Sequence, residues 1–352
     1  MKKLFVIVIA SIFLFGSCNK DEDTNVLPVI KSNNGVFILN EGNFNQLNGT
    51  LSYFDTDSNI IHNNVFKNAN NDNSLGDIVQ SMVIKDSLGF IVINNSSKIE
   101  VININNFKTV NTITGFNSPR HISIIDDNKA YVSDMYGADI YIINIQNYTI
   151  MGNINMGKPT ERMVKYENKV FACNWTNFAM PNVNNNTVQI INTINDSLVD
   201  SIVVTKEPNS IVLDKNNNLW VLCSGGYMND ELPALYKINP ENNTIIKKYD
   251  FPSINTSPSK LEINGSGDTL LFFNSGIYKM QIDEDNLPLN NFIANDGKMF
   301  YGLGIDPQNS ILYVSDAVDY TQQGYVFRYQ LNGSAIDSFK VGIIPGYFCF
   351  KK

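Results

Sequence analysis

Two histidines, four cysteines and a scatter of carboxylates are the groups in this 352-residue chain most suited to chemistry. His62 and His121 stand far apart, and neither has a second His or Cys at metal-ligand spacing, so a zinc site is not expected. No Gly-x-Ser-x-Gly elbow, phosphate-binding loop or dinucleotide fingerprint occurs. Asp214-Lys215-Asn216-Asn217-Asn218 has the side chains of a calcium loop but lacks the closing Glu, and it reads as a hairpin turn. Cys173, Cys223 and Cys349 lie in apolar runs at spacings that match no redox or metal motif. Buried, inert thiols are expected for them; the alternative is a disulfide between two of them, which an oxidising compartment permits. No catalytic residue, metal or cofactor is expected.

Cys18 is reactive for another reason. Lys2 and Lys3 precede an apolar run, Leu4 to Phe15, that is too short to remain as a spanning helix. Phe15-Gly16-Ser17 puts small residues directly before Cys18, as lipoprotein signal peptidase requires. Cleavage after residue 17 and lipidation of Cys18 are expected; an ordinary secretory signal with an incidental cysteine is the alternative. Acyl chains anchor a protein to a membrane at about 0.8 kcal/mol per buried methylene. Asn19-Lys20-Asp21-Glu22-Asp23 resembles the acidic tether of lipoproteins displayed on the outer face of the outer membrane. The expected location is therefore the outer membrane, facing the cell surface, with the periplasmic face second. The expected organisation is a signal over 1–17, a tether over 18–34 and one domain over 35–352.

The formal net charge is -8, and loss of Lys2 and Lys3 with the leader takes it to -10. No basic stripe is present, which disfavours nucleic acid and polyphosphate partners. Asn, Ile, Tyr and Phe are abundant and only 17% of residues are charged, a mixture suited to strands joined by Asn-rich turns.

Self-similarity shows how these residues are positioned. Pro119-Arg120-His121-Ile122-Ser123-Ile124 matches Pro208-Asn209-Ser210-Ile211-Val212-Leu213 and Pro258-Ser259-Lys260-Leu261-Glu262-Ile263. Weaker copies begin at Val79, Thr160, Phe300 and Pro345, so that successive anchors lie 40, 41, 48, 50, 42 and 45 residues apart. That period belongs to propeller blades. Four period-2 segments recur in each unit; in the clearest they are Ile122–Ile125, Ala130–Ser133, Asp139–Asn144 and Thr149–Ile154. The N-terminal end supplies three strands (Gly35–Asn40, Thr50–Asp55, Ile60–Phe66) and the C-terminal end one, around Tyr347–Phe350. Together they make one blade. The predicted fold is all-β: a seven-bladed propeller of four-stranded antiparallel blades, closed by both termini in one sheet, which leaves no open array edge.

The segment Gly35-Val36-Phe37-Ile38-Leu39-Asn40-Glu41-Gly42-Asn43-Phe44, followed by Asn48-Gly49-Thr50-Leu51-Ser52-Tyr53-Phe54-Asp55, resembles the opening of the YncE-like (YVTN-type) propeller surface lipoproteins of Bacteroidota. That family includes BtuG-type cobalamin-capture proteins, which cap TonB-dependent transporters. The resemblance covers residues 35 to 352, with Asn40-Glu41-Gly42 its most specific part. It implies a non-enzymatic capture protein with a corrinoid as small-molecule ligand and a TonB-dependent transporter as partner.

In such a ring one face collects the loops between second and third strands together with the starts of the inner strands. The loops contribute Asn40, Glu41, Asn43, Phe44, Asn94, Asp134, Tyr136, Asn174, Trp175, Tyr227 and Tyr320. The inner-strand starts contribute Gln80, Arg120, His121, Glu161, Arg162, Asn209, Lys260, Tyr301 and Tyr347. Aromatic surfaces beside amide and cationic donors suit a flat, polar-edged ligand such as a corrinoid or a glycan. Two other classes stay open. One is a protein-protein adaptor or surface scaffold. The other is a calcium-dependent lactonase-type hydrolase, with Glu161, Asn209 and Asn40 converging on a metal in the channel. The long segments Phe178–Asn186 and Pro252–Pro258 read as loops available to a recognition surface.

Overall fold

The computed structural model describes residues 34–176 and 178–351. The expected signal segment, Cys18 and all but the last tether residue lie outside the described residues. Among the described residues, 28 strands form seven four-stranded antiparallel sheets. The inner strands of blades 1 to 7 are Pro345–Lys351, Val79–Lys85, Pro119–Ile124, Met163–Tyr166, Pro208–Leu213, Ser259–Ile263 and Phe300–Ile305. Each touches the next, and the last touches the first, so the sheets close into a ring around a channel. The predicted seven blades are present.

The two terminal strands pair in one blade, as predicted. Tyr347 pairs with Leu39, Phe348 with Ile38, Cys349 with Phe37 and Phe350 with Val36. Strands Thr50–Asp55 and Ile60–His62 complete blade 1. The outer strand ends at His62 rather than reaching Phe66. Asn64 turns the chain at φ 56°, and Val65–Ala69 forms a five-residue helix that buries Val65 and Phe66. Five residues are too few to display a helical period in the sequence.

The core is divided in the same way as the ring. Seven apolar clusters each join two neighbouring blades. In blade 5, Leu219, Val221 and Cys223 face the cluster shared with blade 4, while Trp220 and Leu222 face blade 6. Both faces of such a strand are buried, so Leu219–Cys223 reads as a continuous apolar run rather than an alternation. Each fully buried side chain of this kind contributes roughly 1.5–3 kcal/mol. Cys173 and Cys223 share the blade 4–5 cluster as free, buried thiols, and Cys349 is also free. Cys173 and Cys223 are buried as expected, whereas Cys349 is only partly so; burial pushes all three thiols up, Cys349 to about 12, which keeps them protonated.

Candidate functional site

One local device recurs at the start of the inner strands. In six blades the pairing register slips at the first residues of this strand. The skipped residues include Gln80, Arg120 with His121, Asn209, Lys260, Tyr301 and Gly346. In blade 4, Glu161 and Arg162 hold an equivalent place, bonded through their backbones to Cys173 just before the strand begins. A bulge re-aims a side chain out of the sheet alternation. Here it turns side chains at the strand starts towards the channel mouth.

Gly346 supplies no side chain to this circle, and a Cβ there would run into the Glu41 carboxylate. Glu41 thus reaches in from the adjacent loop and fills the place blade 1 leaves open. This accounts for Asn40-Glu41-Gly42. Asn40 is wholly buried and clasps Thr50, Ser52 and the Gly342 backbone N–H. Gly42 takes φ +76°, where a Cβ would strike Asn48 and Gly49.

The channel widens into a funnel of about 750 Å³. Of the sequence-predicted residues, Glu41, Gln80, Arg120, His121, Tyr136, Glu161, Arg162, Trp175, Asn209, Tyr227, Lys260, Tyr301 and Tyr347 line it. The floor is charged and largely paired. Arg120 grips Glu161 with two hydrogen bonds, Nε to Oε2 at 2.8 Å and Nη2 to Oε1 at 2.9 Å, and donates through Nη1 to Gln80. His121 Nε2 lies 3.1 Å from Glu161 Oε1. Arg162 donates to Glu262 at 2.8 Å, and Tyr301 donates to Glu41 at 2.9 Å. Asn209 donates to the Pro258 carbonyl at 2.9 Å.

These partners set the protonation states. Burial raises the Glu161 carboxyl, but Arg120 and the His121 hydrogen bond outweigh it and hold the group well below the usual range. Burial lowers His121 to about 4, against the pull of Glu161. The imidazole is therefore neutral at pH 7, so its Nε2–H donates to Glu161. Glu41 is raised, chiefly by burial and in spite of Lys260 and Tyr301. Tyr347 is pushed up to about 12 by burial and keeps its proton.

The upper wall differs from the floor. Tyr136, Phe178 and Tyr227 rise from the second-to-third-strand loops of blades 3, 4 and 5 and are 47%, 69% and 80% exposed. Below them Trp175 meets the Arg120 guanidinium, 5.6 Å from its ring centre. Blades 6, 7 and 1 offer Ser257, Ser259, Lys260, Tyr301 and Tyr347 instead. The funnel thus has one aromatic side and one polar side.

Seven sequence-predicted residues lie outside this lining. Asn94, Asp134 and Asn174 are buried at the exit of the second strand, like Asn40. Asn94 donates to Ser118 and the Pro119 carbonyl, and Asn174 to the Pro159 carbonyl. Asp134 accepts from the Ser118, Tyr136 and Gly137 backbones. Each clasps a loop rather than lining the funnel. Asn43 donates to the Tyr320 carbonyl, Tyr320 stacks edge-on behind Tyr301, and Phe44 projects from the rim at 61% exposure. The metal triad of Glu161, Asn209 and Asn40 is not assembled, because Asn40 points into its own sheet. Among the described residues no three His, Cys, Asp or Glu side chains group as a metal site. Phe178, from the long loop expected at the recognition surface, also lines it, and the unforeseen lining residues include Ile78, Glu207 and Ser224. Glu207 accepts from Ser224 and the Tyr227 backbone and so fixes the loop that lifts Tyr227.

Residues 34–341 match the family described as Domain of unknown function (DUF5074). The chain belongs to that family. No curated protein matches this DUF5074 member. Its ring is similar to a quinonprotein alcohol dehydrogenase-like protein from Bacteroides thetaiotaomicron, at 15% identity and TM-score 0.67 over 91% of this chain and 79% of that one. The periplasmic gluconolactonase PpgL of Pseudomonas aeruginosa superposes at 10% identity and TM-score 0.67 over 91% and 99%. A putative 6-phosphogluconolactonase from Bacteroides fragilis does so at 12% identity and TM-score 0.66 over 91% and 98%. At these identities the likeness shows the propeller fold alone.

Proposed function

We propose that this protein is a non-enzymatic capture propeller: a lipoprotein anchored through Cys18 to the outer membrane, facing the cell surface, that binds a small ligand in the funnel and passes it to a TonB-dependent transporter. Cobalamin or a related corrinoid is the ligand of this reading, from the likeness of residues 35–55 to YncE-like, BtuG-type propellers. The observation that carries it is the funnel of about 750 Å³, with aromatic loops on one side and polar groups on the other. That size and lining are those of small-molecule sites. Arg120, Glu161 and His121 are engaged with one another, which suits a rigid recognition surface more than a reacting centre. The test is calorimetric titration of residues 24–352, which include the whole ring, with cyanocobalamin. Heat and an absorbance change at micromolar protein are expected; neither signal would reject the corrinoid.

A hydrolase is the second reading, because two of the similar structures carry lactonase in their names and His121 sits beside Glu161. Turnover of a lactone panel that is lost in His121→Gln would favour it over capture.

A further inference from the structure

Lys260 differs from the other two cations of the funnel. Arg120 and Arg162 each hold a carboxylate at 2.8 Å. Among the described residues Lys260 has no carboxylate within ion-pair distance. Its hydrogen bond is a long one, 3.5 Å to the Gly346 carbonyl, and the Tyr301 ring centre lies 5.4 Å from Nζ. An ammonium has three donors, so most of its capacity is unused beside the channel that it lines. Glu41, the carboxyl acting most strongly on it, is bonded to Tyr301 instead.

The backbone at this position is also held against its preference. Lys260 has φ 56°, in the left-handed region, inside the register slip between Ser259 and Glu262. A side chain with a Cβ is disfavoured in that conformation, and Asn or Gly would tolerate it better. Burial and the neighbouring charges of Arg162 and Arg120 draw its ammonium below the ordinary lysine value, with Glu41 opposing. Strain, desolvation and an unpaired cation thus meet at one residue. Arg162 lies nearby, bonded through Nη1 alone to Glu262 and set over Tyr347 at 5.7 Å.

We propose that Lys260, backed by the open edge of Arg162, forms an oxyanion subsite in the funnel floor, so that the ligand carries a carboxylate or phosphate group seated against Lys260 Nζ. This deepens the capture reading and rests on its premise that the funnel takes a small ligand. Aromatic loops would hold the ligand's body while the subsite fixes its charged end. Charge-assisted hydrogen bonds of this kind are about twice as strong as neutral ones.

The test titrates residues 24–352 with inorganic phosphate and, separately, with acetate, at ionic strength held constant with chloride. Saturable binding is expected for the anion whose group the ligand carries. It should weaken about tenfold or more in Lys260→Met and Lys260→Asn, persist in Lys260→Arg and be unchanged in Lys215→Met, a hairpin-turn control. The Asn variant suits the left-handed backbone and keeps the test valid should Met fail to fold. Equal binding in the Asn variant, or no saturable response to either anion, overturns the subsite. Cyanocobalamin serves as the separating arm. Its failure to bind beside a Lys260-dependent phosphate response removes the corrinoid and leaves the subsite. Its equal binding to wild type and Lys260→Asn, with neither anion bound, removes the subsite and leaves capture.

Discussion

His121 offers a quantitative check on the buried floor of the funnel. Burial brings it from 6.5 to about 4, and its side chain is only 12% exposed. The unfolded chain therefore binds a proton between these values that the folded ring refuses. Stability falls as pH drops from 6.5 towards 4 and is flat above that window with respect to this group. Between pH 7 and pH 4.5 the loss attributable to His121 is about 2 kcal/mol, from 1.36 kcal/mol per unit of difference. His121→Gln keeps a donor for Glu161 and removes the titration. Urea unfolding followed by tryptophan emission, at both pH values for both proteins, isolates the effect because all other titrating groups are shared. The variant should lose about 2 kcal/mol less than wild type on acidification. Identical losses would refute the claim that the imidazole is buried neutral beneath the funnel.

Other perturbations probe the parts around it. Glu161→Gln leaves Arg120 buried without its carboxylate and should cost about 3–5 kcal/mol in urea unfolding, whereas Arg120→Met with Glu161→Met should cost less than that single change. Phe348→Ala empties a 6% exposed site in the closing strand, where Phe348 meets Tyr313 at 5.9 Å. A loss of about 3–5 kcal/mol is expected, with earlier proteolysis at the chain ends. Gly346→Ala drives a Cβ into the space Glu41 fills, so a structure of that variant should show the Glu41 carboxyl turned off Tyr301, at a cost of about 1–3 kcal/mol.

Much of the ring could be read in the sequence because its two strongest signals are local. A proline-led start followed by apolar alternation marks Pro119 and Pro208 alike, and the strand missing at one terminus is present at the other. What stayed hidden depends on orientation. Asn94 and Tyr227 both lie in loops after a second strand, yet Asn94 turns inward to clasp Pro119 while Tyr227 stands in solvent. An Asn that ends a turn looks the same in sequence whether it serves a loop or a ligand. The register slips escaped for a related reason: they displace Gln80, Asn209 and Lys260 without disturbing the apolar pattern that follows. Glu41 entered the candidate set as a loop residue, but its place in the floor depends on Gly346, more than three hundred positions away in sequence. Only a closed ring makes them neighbours.

The funnel as ligand site can be tested through one fluorophore. Trp175 lines it and Trp220 is sealed in the core at 0% exposure, so the part of the emission removed by Trp175→Phe reports the funnel. With cyanocobalamin added, saturable quenching of that part is the result the capture reading predicts. Emission from Trp175 that stays unchanged while the ligand binds elsewhere, or does not bind, would contradict it.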